Sequence, residues 1–229
     1  NPIWWQTTVA SAGNLTSAVY RIFGKPFSEE GKKLFGVPFA QFLKLNSEFR
    51  YHYRIDKNQM IASRIAGGVI WSYGNATTAP YTEQFYIGGA NSVRAFSARS
   101  IGPGGYPPET DRKYTYINHV GDIRIEANIE YRFRMIADLH GAVFLDAGNV
   151  WLMRKDENRP NGEFTLKNFP KQIALGTGFG LRYDLDFLVF RLDLGIGLHD
   201  PYDTGKSGYY NIPKFKDSMA LHFAIGYPF

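Results

Sequence analysis

Apolar and polar residues alternate with a period of two along most of this chain, and helical periodicity is scarce. From Ile123 to Arg134, the residues Ile123, Ile125, Ala127, Ile129, Tyr131 and Phe133 fall on one phase. Arg124, Glu126, Asn128, Glu130, Arg132 and Arg134 fall on the other. Successive side chains of a strand point to opposite faces, so this segment has one apolar face and one charged face. The same rhythm runs through Leu43–Arg54, Asp138–Ala147, Ile173–Asp184, Phe190–His199 and Met219–Phe229. It is weaker around Ile61, Ile65, Val69 and Trp71, opposite Arg64, and around Ile3, Trp5, Thr7 and Val9. Ala12-Gly13-Asn14 reads as a bulge or turn. The pattern predicts eight strands, with a ninth if Leu15 to Phe23 pairs separately.

Two architectures bury one face of every such strand. A soluble sandwich or lipocalin-like barrel turns the apolar face inward. A membrane barrel turns it outward to lipid and encloses the charges. Alternation alone leaves both open, and three features favour the membrane. The strands often run ten or more residues, whereas soluble strands average about five or six. The apolar phase carries Tyr, Phe and Trp near strand ends, as an interfacial girdle requires. The polar phase carries glycines in register, Gly176, Gly178 and Gly180 with Gly195 and Gly197, which suits a wall that something large approaches closely. The connections sort likewise. Arg134–Asp138 and Asp184–Asp186 are tight, while Gly88–Tyr114, Arg154–Asn168 and Asp200–Phe215 are long, the arrangement of outer-membrane barrels.

Composition narrows the classes. At 229 residues with a net charge of +5 and 44% apolar residues, the chain is too apolar for disorder and suits one β domain over 1–229. Cysteine is absent, which excludes a disulfide framework and a thiolate metal site. The longest apolar run, Ile65–Trp71, is far short of the roughly 20 residues of a spanning helix. The modest charge gives no reason to invoke nucleic acid. With no initiator Met and no basic-then-apolar leader, the sequence reads as a mature or trimmed chain.

The most specific stretch is Phe85-Tyr86-Ile87-Gly88-Gly89-Ala90-Asn91-Ser92-Val93-Arg94-Ala95-Phe96, continuing to Ile101-Gly102-Pro103-Gly104-Gly105-Tyr106. Its Gly88, Gly89, Val93, Phe96, Gly102 and Pro103 resemble the signature loop of the BamA/TamA-type superfamily of outer-membrane assembly factors. That loop reads F-Y-x-G-G-x-x-S-V-R-G-F and then I-G-P; Ala95 stands where it has Gly. The resemblance continues in order through Asn128-Ile129-Glu130-Tyr131, Phe144-Leu145-Asp146-Ala147-Gly148-Asn149-Val150-Trp151, Gly178–Asp184 and Phe223–Phe229. It covers roughly Gln59 to Phe229.

The resemblance implies that loop 88–114 folds into or over an antiparallel transmembrane β-barrel. It also implies that the loop arginine, Arg94, pairs with Glu130 and Asp146. Both acids lie on the polar phase, and a guanidinium engages carboxylates bidentately. The last strand, Met219 to Phe229, is expected to form one side of a weak seam marked by Phe223, Gly226 and Phe229, with Pro228 removing a ladder donor. The family's periplasmic POTRA modules have no counterpart here, and the strand count matches the C-terminal half of its sixteen-stranded barrel. The chain is thus a fragment, a short barrel, or half of a homodimer. An eight-stranded barrel has room only for side chains, so the loop caps the mouth or the lumen is wider. Lipid does not tolerate unpaired edges, so closure of some kind is required.

The residues suggest no catalytic, metal or cofactor site. His52, His119, His140, His199 and His222 lack metal spacing, and Ser92 and Ser97 lack a nucleophile elbow. Gly102-Pro103-Gly104-Gly105 is not a phosphate loop. The pairs Glu126/Glu130 and Asp184/Asp186 read as partners for nearby arginines rather than as acid–base pairs. The implied function is to fold, insert or translocate other outer-membrane proteins. The implied surroundings are the bacterial outer membrane with its lipopolysaccharide and phospholipid, and the implied partners are client outer-membrane proteins. A short barrel that perturbs lipid or passes small solutes, a soluble barrel holding an apolar ligand, and a lipid-modifying barrel enzyme are the other readings.

Overall fold

The computed structural model describes residues 2–27, 31–108 and 118–229. In chain order the elements are β1 (Ile3–Ala12), α1 (Asn14–Ile22), the small hairpin β2 (Lys33–Leu34) and β3 (Val37–Pro38), β4 (Phe42–Arg54) and β5 (Gln59–Ser72). After the long signature segment come β6 (Ile123–Ile136), β7 (Leu139–Trp151), β8 (Ala174–Asp184), β9 (Val189–His199) and β10 (Met219–Ile225). Eight of the strands form one antiparallel sheet in the order β1-β4-β5-β6-β7-β8-β9-β10, so each long strand lies beside its sequence neighbour. The fold is thus an all-β transmembrane wall of eight strands. No ladder joins β1 to β10 among the described residues, so the two outer strands leave the wall open.

The side-chain polarity is the inverse of a water-soluble protein. On one face Ile129 is 47% exposed and Phe179 54%; on the other Glu130 and Asp146 are 0% exposed. Burying ionised groups while leaving large apolar ones bare is unfavourable in water. It is the low-energy arrangement when the outer solvent is acyl chain. Strands suit this because every backbone polar group can be paired between neighbours. No helix among the described residues is long and apolar enough to cross a membrane.

The two ends of the sheet differ. β4–β5, β6–β7 and β8–β9 are joined by turns of at most four residues, whereas 13–41, 73–122, 152–173 and 200–218 are long. Ala137 and Asp186 adopt positive φ in two of the short turns. Tyr53, Tyr131 and Tyr183 project outward near the short turns, and Trp71 projects outward near the long loops. This places an aromatic belt at the short-turn rim and a single tryptophan at the other.

Two expectations are corrected. Leu15–Phe23 is not a ninth strand: Asn14–Ile22 is α1, and Gly13 at φ 72 ends β1 just before it. Leu15, Val19 and Ile22 recur at helical spacing there, a signal that alternation obscures over so short a span. The last strand does not run to Phe229 but stops at Ile225. Gly226 at φ 82 turns the chain out of the ladder, so Pro228 lies beyond it and weakens no pairing.

The dry core sits between the signature segment and the long-loop half of the inner face. Ile87, Val93 and Ile101 pack with Phe42, Ile70, Phe85, Val150 and Ala174. Of the expected loop 88–114, the buried residues Val93, Arg94, Ala95 and Ile101 sit against the inner face, and 109–114 fall outside the described residues.

The polarity of the wall is testable. Ile129→Lys is expected to cost about 2–4 kcal/mol of stability in a bilayer if this face meets acyl chains near mid-depth. Urea unfolding in vesicles reads this, and an unchanged midpoint would show that the face does not touch lipid.

Candidate functional site: an arginine clamp on the inner face

The polar phases of β6, β7, β8 and β9 place Glu130, Asp146, Arg182 and Asp193 on the inner face, and the loop lowers Arg94 among them. Arg94 Nε donates to Asp146 Oδ2 at 2.8 Å and Nη2 donates to Asp146 Oδ1 at 2.9 Å. The Arg94 backbone N–H donates to Asp146 Oδ2 at 3.0 Å. Nη1 donates to Glu130 Oε2. The guanidinium also covers the Phe144 ring, 3.5 Å from its centroid. Two parallel hydrogen bonds to one carboxylate fix the plane of the guanidinium as well as its position. The aromatic face below it adds a cation–π contact in a site without bulk water.

The acids are themselves shared. Glu130 also accepts from Arg132 Nε at 2.7 Å and from Arg182 Nη2 at 3.1 Å. Arg182 Nη1 donates to Asp193 Oδ1 at 2.5 Å, and Asp193 Oδ2 lies 3.8 Å from Arg94 Nη1. Asn128 Nδ2 donates to Asp146 Oδ1 at 2.8 Å and to the Ser92 carbonyl at 3.0 Å. Arg191 Nη2 donates to Asn91 Oδ1 at 2.5 Å. The loop is therefore held at Asn91, Ser92 and Arg94 by side chains of β6, β7 and β9.

Backbone geometry lets the loop approach. Gly88 and Gly89 both have positive φ, and Gly89 N–H donates to the Phe96 carbonyl at 2.7 Å, closing a tight internal turn. Gly176 and Gly195 form the floor below it. A methyl on Gly176 would strike the Ala95 methyl, and one on Gly195 would strike the Arg94 carbonyl. Ala95 is not among the residues with positive φ, so its side chain costs no backbone strain where the family signature has Gly. Gly102 also has positive φ and packs against Asn149 and Val150, while Gly104 N–H donates to the Val150 carbonyl at 2.7 Å.

Arg94, Glu130 and Asp146 thus lie together, with Gly88, Gly89, Val93 and Phe96 around them. Gly102 and Pro103 belong to the second anchor, on β7. The three residues expected at the seam separate: Phe223 projects outward from β10, Gly226 makes the turn, and Phe229 is buried inside. The Phe229 ring is faced by the guanidinium groups of Arg64 at 5.4 Å and Arg132 at 5.5 Å. His222 Nε2 on β10 lies 2.9 Å from the Arg94 carbonyl, which ties the clamp to the edge strand. Sequence reasoning did not single out Phe144, Asn128, Arg182, Asp193 or His222 for the clamp. All five fall on the polar phase of their strands, and that shared phase was the available signal. His119, His199 and His222 are occupied by backbone carbonyls.

Long antiparallel strands with an apolar outside, an ionic inside and an inserted loop define a transmembrane β-barrel domain of the outer-membrane type. The chain belongs to the Omp85 superfamily, whose domain matches residues 33–229. It is 28% identical over 204 residues to the outer membrane protein assembly factor BamA of Nitratidesulfovibrio vulgaris, covering 87% of this chain and 22% of that protein. It is 29% identical over 89 residues to BamA of Neisseria meningitidis serogroup B, covering 37% of this chain and 11% of that protein. The chain spans about a fifth of the length of the first of these relatives. Its fold is similar to the crystal structure of BamA from Haemophilus ducreyi lacking POTRA domains 1–3, with a TM-score of 0.55 at 16% identity, covering 81% of this chain and 35% of that one. The protein is placed in the bacterial outer membrane.

Two substitutions test the clamp. Arg94→Ala would remove the buried guanidinium from Asp146, while Glu130 keeps Arg132 and Arg182, and is expected to cost about 3–5 kcal/mol. Arg94→Lys, with a point charge in place of the fork, is expected to fall between. Thermal midpoints in detergent and protease cutting within 85–108 check this; identical values for wild type and Arg94→Ala would remove the clamp's structural role. For the glycine floor, Gly176→Ala is expected to destabilise by about 1–3 kcal/mol through overpacking. The double variant Gly176→Ala/Ala95→Gly is expected to recover most of that loss. Failure of the second change to rescue the first would show that the two methyl positions do not compete.

Proposed function

We propose that this protein assists the folding, insertion or translocation of other outer-membrane proteins, with no covalent chemistry of its own. The observation that carries the reading is the coupling of the clamp to a free sheet edge. Arg94 is fixed by Asp146 and Glu130, and its carbonyl is bonded to His222 of β10. β10 has 7 residues against 11 in β9, and among the described residues only one of its edges is paired. Such an edge presents unsatisfied backbone donors and acceptors to which an incoming strand can add. The family and the assembly-factor relatives support the same reading, and Glu130 and Asp146 are the acids that hold the loop in place for it.

In lipid the free edges of β10 and β1 need partners; the two strands run antiparallel to each other, so they can pair directly or through an even number of intervening strands. A second copy of this chain would bring a β1 to each β10. Particle mass in detergent, one copy or two, decides whether it does.

The activity is tested by reconstituting the folded protein in phospholipid vesicles and adding an unfolded eight-stranded outer-membrane barrel protein. We expect client insertion to be several-fold faster than into empty vesicles, and the acceleration to fall in Arg94→Ala protein that remains folded. An insertion rate equal to that of empty vesicles overturns the proposal, even if the vesicles leak small solutes.

A further inference from the structure

We propose that α1 is an interfacial helix that lays its apolar stripe into the lipid monolayer on the long-loop side of the membrane. Leu15, Val19 and Ile22 lie at i, i+4 and i+7, and Phe23 follows at i+8, so four large apolar side chains share one stripe. All four are exposed, with Leu15 and Ile22 each 81% accessible.

The opposite side of the helix is held by the protein through polar contacts. Ser17 is fully buried; its Oγ donates to Gln41 Oε1 at 2.8 Å and accepts from Lys32 Nζ at 3.2 Å. Asn14 Oδ1 accepts from the Tyr73 hydroxyl at 2.8 Å and from Gln41 Nε2 at 3.2 Å. A surface helix in water packs apolar side in and polar side out. This helix does the reverse, as the sheet beneath it does.

Its position names the occupant. α1 follows β1 directly through Gly13, whose positive φ and close approach to the Ala40 carbonyl fix the exit direction. β1 carries Trp5 and Val9 on the lipid-facing phase, paired with Phe49 and Leu45 of β4, and Trp71 of β5 marks the rim on this side. The apolar stripe therefore leaves the sheet beside the end of β1, whose outer face is apolar. The Tyr20 hydroxyl donates to the Lys33 carbonyl and ties the helix to the β2–β3 hairpin, whose tip residue Phe35 is 97% exposed. Arg21, Lys25 and Lys33 are exposed in this part of the chain and suit anionic headgroups, whereas Lys32 is buried on Ser17. The inference does not rest on the insertion activity; it needs only that the sheet spans a bilayer.

The absence of native cysteine allows single-site labelling. Leu15→Cys and Ile22→Cys would carry an environment-sensitive fluorophore in proteoliposomes containing anionic phospholipid, with Lys57→Cys in the β4–β5 turn as a reference. Heat-modifiable migration would verify that each labelled protein is folded. We expect blue-shifted emission at positions 15 and 22 and at least two-fold stronger quenching by lipids with a nitroxide high on the acyl chain than by iodide. The reference is expected to show the opposite preference. Labels at 15 and 22 quenched by iodide and not by nitroxide lipid would overturn the proposal. Labels shielded from both quenchers would also overturn it, and would point to a second copy covering the stripe.

Discussion

A guanidinium enclosed with two carboxylates makes a demand that few other contacts in this protein make. Its charge, once out of water, has to be matched at hydrogen-bond distance by groups whose own positions are fixed. Arg94 meets that demand with both oxygens of Asp146, one oxygen of Glu130 and the face of Phe144. Each partner comes from a strand whose neighbours are set by the ladder. The loop can therefore occupy its place only when β6 and β7 are in register, Asn128 opposite Asp146 and Glu130 opposite Phe144. Conversely, Asp146 has its guanidinium partner only while the loop is in place, whereas Glu130 keeps Arg132 and Arg182 of the wall.

That mutual requirement explains the interior. Side chains alone do not fill the concave side of an open eight-stranded wall. Residues 85–108 supply both an apolar cluster, through Ile87, Val93 and Ile101, and a cation, through Arg94. Gly176 and Gly195 are the complementary part of the wall, since a methyl on either would meet the loop. The apolar cluster lies toward the long loops and the clamp lies below it, with the cations of Lys44 and Arg124 packed over the Phe85 ring at the edge of the cluster.

The same inversion organises the outside. Once acyl chains are the solvent, exposed Ile129, Phe179 and Leu221 are satisfied and unpaired backbone is the costly feature. The two outer strands are then the reactive part of the fold. One of them, β10, is short, ends at Ile225 before the Gly226 turn and touches the clamp through His222. α1 belongs to this logic too, with its polar residues turned to the protein and its apolar ones to the surroundings.

Strand positions and the phase of each face were legible in the sequence, whereas the pairing of Arg94 with Glu130 and Asp146 was implied only by the resemblance of the loop to a family signature. Period-two alternation is a local property of the chain, and the signature loop fixes residue types at short spacing. The fate of Leu15–Phe23 was not legible, because nine residues with apolar positions at i, i+4 and i+7 also fit a ragged strand. Nor was the end of β10, where one glycine at positive φ decides between a continued ladder and an inward turn. Which further polar-phase residues join the clamp depended on cross-strand register. Arg182 reaches Asp193 and Glu130 across the inner face although the ladder sets it opposite His140 and Arg191, and register is a relation between distant segments. Sequence by itself determined which side chains share a face. Only the tertiary structure decided which of them meet, because burial forces charges to find partners that the order of residues does not name.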